Sequence, residues 1–401
     1  MPNSSEYNTH LITLDNDYEI KKELANIKVD AKSMDLLVQK MSFLHLKLEN
    51  VDTRAANVIK QYMGTIGGEV AISYDAYNFT EHTTDMIISG SKSDFRILIK
   101  KIAGGKNGLA EIAKEIARNI EAKITAININ GKVLDFNKTC YIMGVVPFTT
   151  DMVTEDPERT EIMNKIEQLV EGSVSMIDIC GEELYSKSII GNISPEITEY
   201  LAALIKDIRD RFPNIITTID TTRAEVAAEC IDAGIDMINM ILPLRYCESL
   251  VRVAARKKCP VALVYNPQNI SSQPKPFVAI PDAIREIQSN MAFAIGLGVD
   301  RKNIIIDPGI GFGKNDNDNF LMLKQLTSFQ YFNRPLLVGL SRKSFLRSAL
   351  KGKLDHSLVS TIVTNTIAII NGANIVRVHS QEEAKVMKIL INATSKRGEE
   401  E

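Results

Sequence analysis

The feature that most constrains the fold is a regular alternation of short apolar runs with amphipathic stretches from Thr139 onward. The intervening stretches carry helix-type apolar spacing, and eight such pairs span about 255 residues, close to the roughly 250 typical of a (β/α)8 barrel. We therefore predict an α/β fold with a TIM barrel, with an open doubly wound sheet as the alternative. The apolar runs are CYIMGVV, VSMIDIC, IITTID, DMINMI, VALVY, NIIID, PLLVGL and NIVRVH.

The residues before the barrel follow a different pattern. Residues 1–122 read as a small α/β domain that ends in the amphipathic stretch NGLAEIAKEIARNIEAKI. Residues 123–138 contain Asn130-Gly131 between two alternating runs, which is a strong signal for a tight β-hairpin leading into the barrel. The barrel itself is predicted to occupy residues 139–396.

Composition excludes several classes of protein. The formal net charge is -3, which gives no electrostatic argument for a nucleic-acid partner or an anionic membrane surface. The longest apolar runs fall short of the roughly 20 residues that span a bilayer, and the N-terminal residues do not resemble a signal peptide. The five cysteines are scattered without CxxC spacing, which argues against disulfides and structural zinc. These features predict a cytoplasmic protein with no membrane association.

Polar residues stand at or just after the ends of most predicted strands. In a (β/α)8 barrel the carboxyl ends of the strands form the active site, so these residues are candidates for function. One strand-end aspartate often only caps the next helix, and Asp220 before TTRAEVA fits that simpler interpretation. The number of such residues at one end of the barrel favours a site. They are Asp178, Asp220, Asn239, Asp307, Ser341, Arg342, Lys343, Arg377 and His379.

These residue types suit a flat, nitrogen-rich ring. A buried carboxylate accepts two parallel N–H bonds from a ring amide and its exocyclic amine, and an asparagine offers both a donor and an acceptor. Asp220, Asn239 and Asp307 would therefore suit an aminopyrimidinone edge. The glycines in GIGFG let the chain turn away from the ring, although a tight strand-to-helix turn explains them as well. Basic residues on the last two strands would supply positive charge for a phosphorylated leaving group or a ring carbonyl.

Several of these segments, in this order, resemble signatures of the dihydropteroate synthases: IDTTRAEVA, GIDMIN, IIIDPGIGFGKN, LLVGLSRKSF and GANIVRVHS. The resemblance implies an enzyme that joins 6-hydroxymethyl-7,8-dihydropterin pyrophosphate to p-aminobenzoate for folate biosynthesis and releases pyrophosphate. By motif match, the pterin would be held by Asp220, Asn239, Asp307 and Lys343. The pyrophosphate would be held by Arg377 and His379, with Lys343, Arg377 and His379 as catalytic residues. The family also implies Mg²⁺ as cofactor and a small-molecule pterin substrate, and a homodimer is one oligomeric state that the sequence leaves open.

The loops after the first two strands depart from the family pattern. Pro147 stands where the family has an asparagine that contacts magnesium, and proline offers neither an amide side chain nor a backbone N–H. CGEELYSKS replaces the family's GGESTRPG after strand two, so the p-aminobenzoate site would have to use other residues. Candidates for that second-substrate loop are Tyr185, Lys187 and Ser341, with Asp151 as a further one. Met240 and the pair Val264-Tyr265 also differ from the family's residues.

Two functions remain open at the level of sequence. One is a synthase whose amine site is built from other residues, and the other is a pterin-binding protein without synthase activity, such as a carrier of a folate-type methyl donor or a silent homologue. The cations in SRKSF and VRVH favour the synthase, because a pyrophosphate leaving group gives them a use. A barrel acting on a sugar phosphate would explain the cations but not the three ring-binding residues together.

Overall fold

The computed structural model of the 401-residue chain describes residues 9–14, 17–120, 126–149, 156–180, 195–267, 280–350 and 357–395. The chain divides into two compact units, Met1–Ala122 and Lys123–Glu401. Within the described residues, no helix combines the length and the apolar character that crossing a membrane requires.

The N-terminal unit is a three-stranded antiparallel sheet with helices packed on it. The strands β1 (Phe43–Asp52), β2 (Glu69–Ile72) and β3 (Thr83–Ser91) lie in the order β1-β3-β2. The side chain of Asp52 caps the third helix, and Ser91 and Asp94 form a capping box at the fifth. The helices are α1 (Asp17–Asn26), α2 (Ala31–Met41), α3 (Thr53–Ile66), α4 (Tyr74–Tyr77), α5 (Lys92–Ile102) and α6 (Leu109–Ile120).

The second unit is an eight-stranded parallel barrel, which confirms the predicted fold class. Its strands run in the order β11-β10-β9-β8-β7-β6-β13-β12, and a parallel bridge between Ile306 and Leu336 joins the two outer strands. Because the sheet closes in this way, the alternative of an open doubly wound sheet is wrong. The strands are β6 (Tyr141–Pro147), β7 (Met176–Cys180), β8 (Ile216–Asp220), β9 (Met237–Met240), β10 (Val261–Val264), β11 (Ile304–Asp307), β12 (Leu337–Val338) and β13 (Ile375–Val378).

Helices cover the outside of the barrel. Their apolar faces meet the outward-facing residues of the strands, such as Ile177, Ile219 and Ile306, in one large buried cluster. The described helices are α7 (Asp156–Glu171), α8 (Pro195–Arg211), α9 (Ala224–Asp232), α10 (Glu248–Arg256), α11 (Ile280–Gly296), α12 (Asp316–Lys324), α13 (Ser344–Ala349), α14 (Ser357–Ile370) and α15 (Gln381–Ser395). Short 3₁₀ turns lie at Leu244–Tyr246, Arg301–Asn303 and Leu326–Phe332.

A β-hairpin closes the amino-terminal end of the barrel. Strands β4 (Ala126–Ile129) and β5 (Lys132–Asp135) pair around Asn130 and Gly131, whose φ angles of 48° and 86° fit a tight turn of the I′ type. Apolar hairpin residues pack on an inner layer of strand residues. That cluster comprises Ile127, Ile129, Leu134, Met143, Met176, Ile216, Met237, Ala262, Ile305, Leu337 and Ile375.

The hairpin is also tied to the barrel by a buried carboxylate. Asp236 accepts hydrogen bonds from Lys132 Nζ at 3.0 Å, from Arg209 Nη1 at 3.1 Å and from the backbone N–H of Thr217 at 2.9 Å. Three donors from three elements satisfy this buried group, as such burial requires. The amino-terminal end of the barrel is therefore occupied by apolar packing and structural ion pairs, which leaves the other end for a site.

Strand geometry places the polar residues directly above this apolar layer. Side chains two positions apart on a strand point to the same face, so the next inward residue on five strands is polar. These five side chains are all buried, and they form the inner wall at the carboxyl ends of the strands. They are Asp178, Thr218, Asn239, Asp307 and Arg377.

Candidate active site

Arg377 lies at the centre of the polar residues inside the barrel. Its Nη2 atom is 3.2 Å from Asp178 Oδ2 and 3.3 Å from Asp220 Oδ1. Burial opposes the guanidinium charge, but the carboxylates of Asp178, Asp220 and Asp307 raise the pKa of Arg377 above its usual value. The arginine is therefore charged and held by two acids that the sequence places on neighbouring strands.

A second part of the network joins Asp178 to Thr218 and Asn239. Asp178 Oδ1 accepts hydrogen bonds from Thr218 Oγ1 at 2.5 Å and from Asn239 Nδ2 at 2.7 Å. Burial raises the pKa of Asp178 to about 7, against the effect of the Arg377 charge. Among the described residues, the buried Asn239 Oδ1 has no hydrogen-bond partner.

The geometry of the turn after β11 explains why glycine is needed at position 309 in GIGFG. The backbone N–H of Gly309 donates to Asp307 Oδ1 at 2.7 Å. Gly309 has a φ of 67°, and a Cβ atom there would lie 1.8 Å from the carbonyl oxygen of Tyr265. Only glycine fits at this position, and its N–H fixes the Asp307 carboxylate at the end of the strand.

Lys314 stabilises the same turn, a role that the sequence analysis missed. Its Nζ donates to the carbonyl oxygens of Gly309 at 2.7 Å and Phe312 at 2.8 Å, and it lies 4.7 Å from the centre of the Tyr265 ring. Burial lowers the pKa of Lys314 to about 7, although Asp307 opposes that shift. The sequence shows a lysine directly after GFG. It does not show that this side chain folds back onto the turn and becomes buried.

Lys343 faces the same turn from the segment after β12. Its Nζ lies 3.9 Å from the centre of the Phe312 ring, and the Asp307 carboxylate is among the charges that act on it. Burial, followed by the charge of Arg377, lowers the pKa of Lys343. The structure thus brings Asp307 and Lys343 to the same turn.

His379 belongs to a hydrogen-bonded group at the end of β13. Its Nδ1 lies 2.8 Å from Ser341 Oγ, while Glu383 Oε2 accepts from the backbone N–H of His379 at 2.5 Å and of Ser380 at 3.2 Å. Burial, then the charges of Arg342 and Arg377, lower the pKa of His379 to about 4. At that pKa the imidazole is neutral at pH 7, and the positive charge expected from the sequence would require a bound anion that raises its pKa.

One group of side chains has the spacing of a metal site. Ligand atoms of Asp178, Cys180 and Asp220 lie within 4.8 Å of one another. Arg377 already contacts both carboxylates, and a thiol is not a ligand that Mg²⁺ prefers. These residues do not fit the Mg²⁺ that the resemblance implies, and Pro147, at the end of β6, cannot supply a side-chain oxygen.

Other sequence candidates fall outside or away from this network. Tyr185, Lys187 and Asp151 lie outside the described residues. Ser341 is buried against His379 and Glu383 rather than on an open loop. Met240 packs in the cluster on the helix side of the barrel.

Comparison with known proteins decides the family. A family model described as "Pterin binding enzyme" matches residues 143–379, which is more than half of the chain. The chain belongs to this family. The match begins on β6 and ends at His379, so it contains the polar inner wall of the barrel and Lys343, while Glu383 lies beyond it.

Individual relatives place the chain among the dihydropteroate synthases. The dihydropteroate synthase of Synechocystis sp. is 34% identical over 269 residues, which cover 64% of this chain and 91% of that protein. A dihydropteroate synthase of Yersinia pestis with a pterine-sulfa conjugate superposes with a TM-score of 0.58 at 25% identity, covering 67% of this chain and 98% of that one.

A third relative extends the similarity beyond the barrel. A probable bifunctional folylpolyglutamate synthase/dihydropteroate synthase of Haloferax volcanii is 27% identical over 351 residues, covering 83% of this chain but only 41% of the relative. The matched part is longer than the barrel unit, so it includes residues of the N-terminal unit. The chain thus spans less than half the length of that relative.

Proposed function

We propose that this chain is a dihydropteroate synthase. In that reaction the amine nitrogen of p-aminobenzoate forms a bond to the methylene carbon at C6 of the dihydropterin, the bond from that carbon to pyrophosphate oxygen breaks, and the amine loses a proton. The observation that carries the proposal is the buried set of ring-binding residues beside two cations, in a chain that belongs to the family.

The pterin would be recognised by residues on three strands. Asp307, fixed by the Gly309 N–H, presents its carboxylate to the ring amide and amine. Asn239 presents its Oδ1 atom, which has no partner among the described residues. Asp220 accepts a hydrogen bond from Arg377, which places its carboxylate in the same group of residues. A small-molecule site of this kind is mostly apolar with a few fixed polar groups, which matches the inner wall of this barrel.

The leaving group would be stabilised by the basic residues at the mouth. Lys343 and Arg377 carry side chains that can pair with phosphate oxygens, and the charge of pyrophosphate would favour the protonated form of both. His379 would act as a hydrogen-bond donor, or as a cation once pyrophosphate raises its pKa. The acceptor amine would then be bound with help from Tyr185, Lys187 or other loop residues.

Product analysis tests this function. We expect incubation with 6-hydroxymethyl-7,8-dihydropterin pyrophosphate, p-aminobenzoate and Mg²⁺ to yield dihydropteroate and pyrophosphate in equal amounts. Omission of Mg²⁺ measures the metal requirement, and omission of the amine gives the background loss of pyrophosphate. Pyrophosphate without dihydropteroate would instead support a pterin-binding protein without synthase activity, which Pro147 and the changed second loop would then explain.

We also propose a homodimer, because α14 presents an exposed apolar stripe. Val359, Val363, Ile367 and Ile370 recur along one face of this helix, and its sequence SLVSTIVTNTIAII contains no charged residue. Monomeric proteins rarely leave such contiguous apolar faces in water. A second copy could cover the stripe with its own uncharged face.

Sedimentation tests the dimer. Ile367→Asp is expected to convert a dimeric protein into a monomer, because each copy would place a charge in the apolar contact. Ile295→Asp on α11 is the matched control, since both isoleucines have 39% of their surface exposed. A wild-type protein that sediments as a monomer at micromolar concentration would contradict the proposal.

A further inference from the structure

The unpartnered oxygen of Asn239 raises the question of what fixes the direction of its amide. An asparagine amide can present either its oxygen or its NH₂ group to a ligand, and the two ends recognise opposite partners. Here Nδ2 donates to Asp178 Oδ1 at 2.7 Å, with Thr218 Oγ1 at 3.3 Å, and Oδ1 is left without a partner. The hydrogen bond to Asp178 therefore determines which end of the Asn239 amide is left for a ligand.

The pKa of Asp178 is about 7, so at pH 8 its carboxylate is ionised and only accepts hydrogen bonds, which fixes this choice. Its Oδ1 receives both Thr218 and Asn239, and its Oδ2 faces Arg377 Nη2 at 3.2 Å. Rotation of the Asn239 amide by half a turn would direct an oxygen at this carboxylate. The buried environment makes that arrangement costly, so Asn239 Oδ1 stays directed at the ligand.

We propose that Asp178 is a positioning residue that makes the site select the reduced pterin ring. This inference rests on the proposed function. The 7,8-dihydropterin ring carries an N8–H, whereas the oxidised ring has a lone pair at N8. With Asp307 bound to the ring amide and to one N–H of the exocyclic amine, two kinds of ring donor are left: the other amine N–H, which both ring forms carry, and the N8–H, which only the reduced ring carries. Asn239 Oδ1 is the acceptor that would receive the N8–H. A buried acceptor facing a lone pair would disfavour the oxidised ring.

Asp178→Asn should reverse the amide of Asn239. Arg377 only donates, so the new amide at position 178 would turn its oxygen to Arg377 and its NH₂ toward Asn239. Asn239 would then accept from position 178 and present its own NH₂ to the ligand. The simpler alternative is that Asp178 only balances the charge of Arg377, in which case the variant would weaken both ring forms by the same factor.

The test is a ratio of affinities. Calorimetry at pH 8 under anaerobic conditions, with pyrophosphate present, compares 6-hydroxymethyl-7,8-dihydropterin with 6-hydroxymethylpterin. We expect wild type to prefer the reduced ring, and Asp178→Asn to lower that preference by about tenfold or more. Asp316→Asn is the control, because it makes the same substitution at an exposed acid outside the network. Its ratio should equal that of wild type.

A double variant provides the rescue. In Asp178→Asn/Asn239→Asp, the amide at position 178 donates to the new carboxylate, which again presents an oxygen to the ring, so the preference for the reduced ring should return. An unchanged ratio in Asp178→Asn, with both rings bound, would overturn the inference. Failure of wild type to bind either ring would instead overturn the proposed function. Should Asp178→Asn not fold, loss of the preference in the double variant would be the contradicting result.

Discussion

Replacement of Arg377 by methionine is expected to lower the free energy of unfolding by about 3–5 kcal/mol at pH 8. The guanidinium is the cation that contacts both Asp178 and Asp220, and these two side chains are 0% and 1% exposed. Methionine has a similar length and leaves the carboxylates buried without their counter-ion. Urea denaturation followed by circular dichroism measures the loss.

The same variant should be less affected at low pH. Without Arg377 the folded-state pKa of Asp178 would rise further, so the folded protein would bind a proton that the unfolded chain releases above pH about 4. Stability would then fall as pH rises, and the loss at pH 5.5 should be smaller than at pH 8. Arg252→Met is the control, because its pair with Glu248 is exposed and contributes little. Equal midpoints for wild type and Arg377→Met at pH 8 would contradict this account.

The sequence alone was sufficient to predict the barrel and most of the residues inside it. Strand residues alternate between the core and the helix side, so a polar residue in an apolar strand, such as Asn239 in DMINMI, must face the interior or interrupt the packing. The carboxyl ends of parallel strands share one end of the barrel. Asp307, Lys343 and Arg377 could therefore be placed together from the order of the strands.

Some properties of the site depend on three-dimensional contacts and could not be predicted from the sequence. The fold-back of Lys314 onto Gly309 depends on turn geometry, and the direction of the Asn239 amide depends on a carboxylate 61 residues away. The positive charge of His379 stays a prediction, because burial and the charges of Arg342, Arg377 and Lys343 lower its pKa, which a motif does not reveal. Hydrogen-bond direction and protonation are thus the properties of this site that required a structure.

Asp307→Asn is expected to weaken binding of the dihydropterin by about 2–4 kcal/mol, or roughly 30- to 1000-fold in Kd. The Gly309 N–H already donates to one oxygen of Asp307 at 2.7 Å. An amide at this position keeps a single oxygen. If that oxygen stays on Gly309, the NH₂ group faces the ring donors, and if it turns to the ring, the NH₂ group faces the Gly309 N–H. Either arrangement puts two donors together in a buried site.

Calorimetry with 6-hydroxymethyl-7,8-dihydropterin measures this loss, and Asp316→Asn is the matched control. Asp316 begins α12 nine residues farther along and is exposed, so the same substitution there removes a charge without touching the turn. Its Kd should stay within about twofold of wild type, since an exposed charge near a helix end contributes only a few tenths of a kcal/mol. Equal affinities for Asp307→Asn and Asp316→Asn would mean that the Asp307 carboxylate only closes its turn. Ring recognition would then have to come from Asn239 and Asp220, and the assignment of Asp307 as a pterin-binding residue would be wrong.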